Sequence, residues 1–469
     1  MASSPSQFDV ATYQRRRLQL QQVFDSELIL LLGNEESSIN FRDNWYRFRQ
    51  DSTFLYYIGV DRPGLAAVLD TATGETTLFG DDLTMDAIIW TGPQPTVAAL
   101  AEAVGIRHSA PIATLADQLR AAQQRGQKIL FLPPYRPENI QKLRHLLNIP
   151  EAQVTARASV PLINAVVAQR SIKEPEEVAE LERAVNTSNR MHRVAMQTVQ
   201  PGMKEYELVG KVRGEAIAGG GDIGYPIILT KDGQTLHNHY YGNTLSEGDM
   251  VLLDAGAETA RHYTGYLTRT FPVGQRFTDQ QRVMYQIVLN AYRAAVAALR
   301  PGVRFLDIHL LACEKLVDGL KEEGLMQGDT SDAVSAGAHA LFFQCGLGHM
   351  MGLDVHDMED LGEEYVGYSD TLKKSSQFGL KSLRLGRALE SGFVLTVEPG
   401  LYFIPELINR WSGEKKFTDF IRYDQVAAFR DFGGIRVEDN FLITDEGYRK
   451  LGDSLPLTIS EVEALRAER

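Results

Sequence analysis

Cysteine is nearly absent: Cys313 and Cys345 are the only two in 469 residues. A pair in a chain of this length builds no disulfide framework and suits a reducing compartment. Long apolar runs are missing too. None approaches the roughly 20 residues that a membrane-spanning helix requires. The opening segment MASSPSQFDVATYQRRRLQLQQ lacks the apolar centre of a signal peptide. Arg15, Arg16 and Arg17 lend it some transit-peptide flavour, but Asp9 and the Gln-rich helical stretch argue against one. The cytoplasm is therefore the expected location. Positive charge is in deficit, with 48 Lys and Arg against 61 Asp and Glu, a formal net charge of -13. That balance disfavours nucleic acid and anionic membrane as partners and otherwise serves solubility. No self-similarity stands out at the repeat periods of roughly 20 to 50 residues typical of solenoids.

What remains is an ordinary globular composition, 44% hydrophobic and 23% charged. The length predicts two domains. The first third alternates strand and helix signals. Leu28 to Leu32, Ala66 to Leu69 and Ile129 to Leu132 read as short buried strands, the last ending at Pro133-Pro134. Thr114 to Arg125 and Glu138 to Leu147 read as helices. Between Phe41 and Val60 an Arg-rich segment runs into what reads as an aromatic strand. A boundary is expected near residues 163 to 174, dividing the chain into 1–170 and 171–469. A long amphipathic helix then opens with Lys173, Pro175 and a Glu-rich first turn. Val178, Leu181 and Val185 lie on its one face. The glycines 219 to 221 end the next helical region.

Chemistry concentrates in the second part. Val251, Leu252 and Leu253 form a buried strand ending at Asp254. Gly256 and Gly265 bracket a turn, and Thr268 to Val273 returns as the second arm of a hairpin. A carboxylate closing an apolar strand is costly unless paired or metal-bound. Taken alone, Asp254 reads better as a turn cap; the other motifs reverse that. GLGHMMGLDVHD places His349 and His356 among glycines, which allow close backbone approach. Glu398 stands before Pro399-Gly400 at the end of FVLTV, and Glu438 stands in the strand-like GIRVEDN, two residues after Arg436. Three carboxylates and an imidazole make a hard, mixed oxygen–nitrogen site, suited to Mn²⁺, Co²⁺, Zn²⁺ or Fe²⁺.

LLDAG, TRTFPV, GLGHMMGLDVHD, TVEPGLY and GIRVEDN, in this order, resemble the Xaa-Pro aminopeptidase and prolidase family of pita-bread metallopeptidases. The resemblance implies an α/β N-terminal domain of the creatinase and aminopeptidase P type, followed by an α+β pita-bread catalytic domain. It implies a hydrolase acting on the amide bond before proline, in a peptide or a related small amide, with metal ligands Asp254, His349, Glu398 and Glu438 and manganese as the first expected metal. His237 and His356 match the family's proton-shuttling and substrate-binding histidines. Arg436 matches an arginine that supports the site, and Tyr402 a tyrosine that follows EPGL. Relatives form dimers or tetramers, and Trp90 resembles a tryptophan that reaches a neighbouring active site; its plainer reading is a loop aromatic.

Two positions depart from the family. A metal-bridging Asp is expected two residues before Thr268, where this chain has Tyr266. The hairpin also reads one residue longer than in some relatives. A His is usual before the first glycine of GLGH, where this chain has Cys345. A phenol offers one oxygen and a reference pKa near 10, so it does not replace a bridging carboxylate. Three ligands then remain for one metal and two for the other, which predicts a single metal per chain. Cys345 reads as a small apolar filler, as a soft ligand beside His349, or as a reactive thiol. Cys313 reads as helix core. The functional expectation is an Xaa-Pro peptidase with an altered site. The alternatives are an inactive descendant that binds without catalysis, and a metal-independent enzyme repurposed on the same fold, as creatinase is.

Overall fold

The computed structural model describes residues 8–468; the first seven residues of the opening segment and Arg469 lie outside them. Two compact units are present. One runs to Arg170 and takes in Met358–Tyr365; the other comprises Ser171–Asp357 and Val366–Arg469. No helix among the described residues is long and apolar enough to cross a membrane.

The first unit is built on a five-stranded mixed sheet. Its strands run in the order His108–Ala110, Thr76–Phe79, Ala66–Asp70, Leu28–Leu32, Ile129–Leu130. Leu28–Leu32 lies inside the sheet, between Ala66–Asp70 and Ile129–Leu130, and is buried along most of its length, as its unbroken apolar run requires. Leu28, Leu30, Ala66 and Val68 pack with Leu115, Leu119, Leu143 and Leu147 of the covering helices. The strand Ile129–Leu130 is shorter than the apolar run expected there, Ile129 to Leu132.

The stretch expected as an aromatic strand is instead the helix Ser52–Ile58. Local capping overrides aromatic strand propensity there. Asp51 accepts from the Phe54 N–H at 2.8 Å, and Gly59 ends the helix at φ +71°. A Cβ on Gly59 would sit 2.2 Å from the Tyr13 ring. The opening arginines belong to this arrangement. Arg16 donates to the Tyr56 carbonyl at 3.2 Å and Arg17 to the Tyr57 carbonyl at 2.9 Å, two cations at a helix C-terminus. Trp90 lies on the helix Met85–Thr91 rather than in a loop, and is 87% exposed.

The second unit begins with the helix Pro175–Thr198, where the Glu177 carboxylate accepts from the Glu174 N–H at 3.0 Å. Val178, Leu181 and Val185 are buried on its inner face. The predicted hairpin is present, with Met250–Ala255 antiparallel to Leu267–Pro272 and Asp254 opposite Thr268. Ile228–Thr230 pairs on the other side of Met250–Ala255. A second sheet holds Val394–Val397, Asp439–Ile443 and Tyr448–Lys450. Glu438 is not inside a strand. It sits between Gly434–Arg436 and Asp439–Ile443 and bridges to Thr268. A fully buried ion pair fixes this crossing: Arg269 meets Asp439 at 2.9 Å and also donates to the Glu438 carbonyl at 2.7 Å.

Candidate metal centre

Backbone pairing brings the functional side chains together. Around Gly348 the chain runs against the strand Val394–Val397 so closely that a Cβ would lie 2.1 Å from the Thr396 carbonyl. The Thr396 N–H donates to the His349 carbonyl at 3.0 Å, and the Glu398 N–H to the Leu347 carbonyl at 2.8 Å. His349 and Glu398 therefore share one edge. The Glu438 N–H donates to the Thr268 carbonyl at 3.0 Å, and the Thr268 hydroxyl to Glu438 Oε2 at 2.6 Å. Thr268, in the hairpin, thereby aims Glu438 at the same point.

His349, Glu398 and Glu438 each present a ligand atom, all within 4.8 Å of one another. His349 Nδ1 lies 3.0 Å from the Met350 carbonyl. That contact assigns the ring proton to Nδ1 and turns the Nε2 lone pair toward the carboxylates. Nε2 stands 3.7 Å from Glu398 Oε1, and neither it nor Glu438 Oε1 has a hydrogen-bond partner. Burial, then the nearness of His356, holds the His349 pKa well below its ordinary value. Burial pushes Glu398 up to about 7, with Asp254 adding to the rise against Arg436, and drives Glu438 well above the carboxylate range, with Glu398 adding. Buried acids are raised in this way when no cation compensates them. Orphaned buried polar atoms are costly, and a divalent ion among these three residues removes both costs. The donor set fits such an ion.

Asp254 is treated differently. Its Oδ1 accepts from the Tyr225 hydroxyl at 2.7 Å. Its Oδ2 accepts from Arg436 Nη2 at 2.6 Å and from the Tyr266 hydroxyl at 3.2 Å. Tyr266 is buried edge-on against Tyr225, 4.8 Å between ring centroids, and 5.2 Å from the His349 ring. Burial, with Asp254, Glu438 and Glu398 around it, holds its pKa well above the usual phenol value. It is a hydrogen-bond donor here and not a phenolate.

Arg436 also donates to the Tyr402 hydroxyl at 2.8 Å, and the Cys345 thiol lies 3.8 Å from that same oxygen. Burial, then Glu398, pushes Cys345 up to about 12, so it is a neutral thiol. It is not among the converging ligand atoms. His356 stacks edge-on against His349 at 4.2 Å. His237 is exposed in a turn, and partial burial of its ring holds its pKa below the ordinary value, with Asp254 opposing and Arg436 adding.

The model of metallopeptidase family M24 matches residues 179–445, and that of the aminopeptidase P N-terminal domain matches residues 13–137. The chain belongs to metallopeptidase family M24. Xaa-Pro dipeptidase of Homo sapiens is 31% identical over 94% of this chain and 88% of its own length. Xaa-Pro aminopeptidase of Escherichia coli is 30% identical over 97% of each. Among solved structures, Pseudomonas aeruginosa aminopeptidase PepP matches with a TM-score of 0.80 at 27% identity, over 98% of this chain and 99% of that one. Zinc-substituted Escherichia coli aminopeptidase P in complex with product matches with 0.81 at 29%, with the same coverage. The fold is thus the aminopeptidase P one, an N-terminal α/β domain and an M24 pita-bread domain. A divalent metal is the cofactor that M24 membership implies.

Three partners of the M24 site were not anticipated from sequence. Thr268 and Thr396 orient Glu438 and His349, and both stand in the motifs TRT and LTVE. Tyr225, in IGYPII, carries no motif signal and meets Asp254 only through the fold. The sequence reading of Cys313 as helix core is correct in place but incomplete. Its Sγ lies 3.5 Å from His309 Nε2, and His339 completes a second buried group.

Proposed function

We propose that the chain is an Xaa-Pro peptidase that hydrolyses the amide bond before proline with one divalent metal, held by His349, Glu398 and Glu438. The observation that carries the single-metal reading is the contrast between orphaned and satisfied atoms. His349 Nε2 and Glu438 Oε1 lack partners, whereas both oxygens of Asp254 are engaged by Tyr225, Tyr266 and Arg436. The likeness to Xaa-Pro dipeptidase and Xaa-Pro aminopeptidase along nearly the whole chain supports the substrate class.

When bound, the ion supplies Lewis acidity for activating water and polarising the scissile carbonyl. Manganese is the first candidate, with zinc, cobalt and iron compatible with the same donors. His356, packed on His349, is assigned to substrate binding, and His237, in its exposed turn, to proton transfer, the roles that the family resemblance implies for them. Arg436 holds Asp254 and Tyr402 in register behind the ligands. Tyr266 fills the place of the family's bridging carboxylate with a ring and a hydroxyl.

Elemental analysis of the purified chain, with an assay on Xaa-Pro dipeptides and longer Xaa-Pro peptides in Mn²⁺, tests this reading. One equivalent of manganese, counted apart from any zinc held elsewhere in the chain, and metal-dependent cleavage are expected. Two tightly held equivalents at this centre would overturn the single-metal assignment. A loaded chain that cleaves no Xaa-Pro bond would leave the non-catalytic alternative standing.

A further inference from the structure

Away from this centre, the helix Phe305–Glu322 carries His309 and Cys313 four residues apart, hence on one face. His339 approaches from the single turn Ala338–Leu341. All three are buried, at 1%, 0% and 2% exposure, and their ligand atoms lie within 4.8 Å of one another. Cys313 Sγ and His309 Nε2 are 3.5 Å apart. His309 Nδ1 has no hydrogen-bond partner, and His339 has none beyond the backbone of Val334. Burial holds both imidazoles neutral, at about 3 for His309 and about 4 for His339. A core needs none of this. Unmet buried polar groups are costly, and Leu or Phe would fill the same space without that cost.

We propose that His309, Cys313 and His339 form a second, buried metal site that takes one Zn²⁺ ion. A thiolate with two imidazoles is a soft-to-borderline donor set, selective for zinc over magnesium, calcium or manganese. The oxygen-rich centre at His349 is harder and accepts manganese as well as zinc. On binding, the Cys313 S–H bond gives way to a sulfur–zinc bond and its proton leaves to solvent, while the imidazoles ligate through nitrogen lone pairs. The ion ties the helix Phe305–Glu322 to the turn at His339, from which the chain runs directly into Cys345 and the segment that presents His349. Its role is structural. The proposal does not depend on the peptidase reading, since it concerns other residues.

The test uses Co²⁺ as a probe, because a cobalt–thiolate charge-transfer band requires a sulfur ligand. The full chain carrying Cys345→Ala has Cys313 as its only thiol, so any such band reports on Cys313 alone. Refolded with Co²⁺, it is expected to show the band. The double variant His349→Ala with Glu438→Ala, refolded with zinc, is expected to retain about one equivalent by elemental analysis. Adding Cys313→Ala to that double variant should reduce retention by about tenfold or more. No thiolate band in the Cys345→Ala chain, or no zinc held by the double variant, would overturn the site and leave a buried polar cluster holding water. Neither of those two readouts depends on the Cys313→Ala protein folding.

Discussion

Two corners of one buried site meet the same problem in different ways. At the first, Asp254 has every oxygen supplied by a neighbouring donor, two tyrosines and an arginine. At the second, Glu398, Glu438 and His349 crowd together with unpartnered atoms and raised carboxyl pKa values. Burying a charge is costly unless it is paired. The protein's own hydrogen bonds discharge that cost at the first corner and leave it open at the second. On the proposed reading, a metal is needed at one corner and displaced at the other. Tyr266 is the residue that separates them, because its hydroxyl completes the shell of Asp254 while its ring lies beside His349.

The largest effect should come from emptying the second corner. Glu438→Gln removes a ligand charge while keeping the Thr268 hydrogen bond geometrically possible. Loss of the tightly held metal and a fall in kcat/KM of about 10³-fold are expected, measured by elemental analysis and Xaa-Pro cleavage. Retained metal and activity would place the ion elsewhere. Next in size is conversion of the first corner. Tyr266→Asp should raise the metal content at this centre from one equivalent to two. Combined with Cys345→His, it should increase Xaa-Pro turnover by about 10²-fold, an order set by the several kcal/mol that a water-activating group supplies. A double variant with unchanged stoichiometry and rate would mean that Tyr266 is not what holds the second metal out.

The contrast between corners was only half legible in the sequence. The ligands of the second corner stand in motifs, GLGH, VEPG and RVED, each tied to a strand edge whose apolar pattern is readable. The strands Leu28–Leu32 and Met250–Ala255 were likewise legible, because buried strands need unbroken apolar runs. Ser52–Ile58 was misread, since its aromatics signal strand while Asp51 and Gly59 impose a helix. The donors to Asp254 were not legible as a group. Tyr225, Tyr266 and Arg436 are distant in sequence, and only the fold brings them to one carboxylate. His309 and Cys313 carry a readable i, i+4 spacing, but His339 joins them only through tertiary packing.

A smaller effect, tied to pH, should sharpen the first corner from behind. His192 contacts the Ala255 carbonyl at 3.1 Å, next to Asp254, and burial, then Arg269, holds its pKa down to about 4. Above pH 6.5 the ring is neutral in folded and unfolded chains alike. As pH falls below 6.5, the unfolded chain takes up a proton that the folded chain refuses, so stability is lost down to about pH 4. His192→Gln keeps a donor for the carbonyl and removes the titration. The stability gap between the original chain and this variant should shift in the variant's favour by about 2–3 kcal/mol between pH 7.5 and 4.5. Urea denaturation at the two pH values measures it, and parallel losses in both proteins would show that His192 is not held neutral.

The smallest expected effect is also the most discriminating. Tyr266→Phe keeps the ring against Tyr225 and His349 and deletes only the hydroxyl that reaches Asp254. Asp254 Oδ2 retains the Arg436 guanidinium at 2.6 Å, the stronger of its two partners there. The loss should be about 1 kcal/mol, the net worth of one hydrogen bond. Phenylalanine adds no ligand, so metal content should stay at one equivalent and the rate on Xaa-Pro peptides should change little. If the phenol itself ligated the ion, removing it would lower metal affinity by an amount that titration resolves. If the ring's bulk is what excludes a second ion, Tyr266→Phe still excludes it, whereas Tyr266→Ala opens the space but supplies no carboxylate. Tyr266→Ala should therefore also stay at one equivalent. Only the carboxylate of Tyr266→Asp should bring a second ion into the Asp254 corner, which makes the series of three substitutions a direct measure of whether charge or space divides the site.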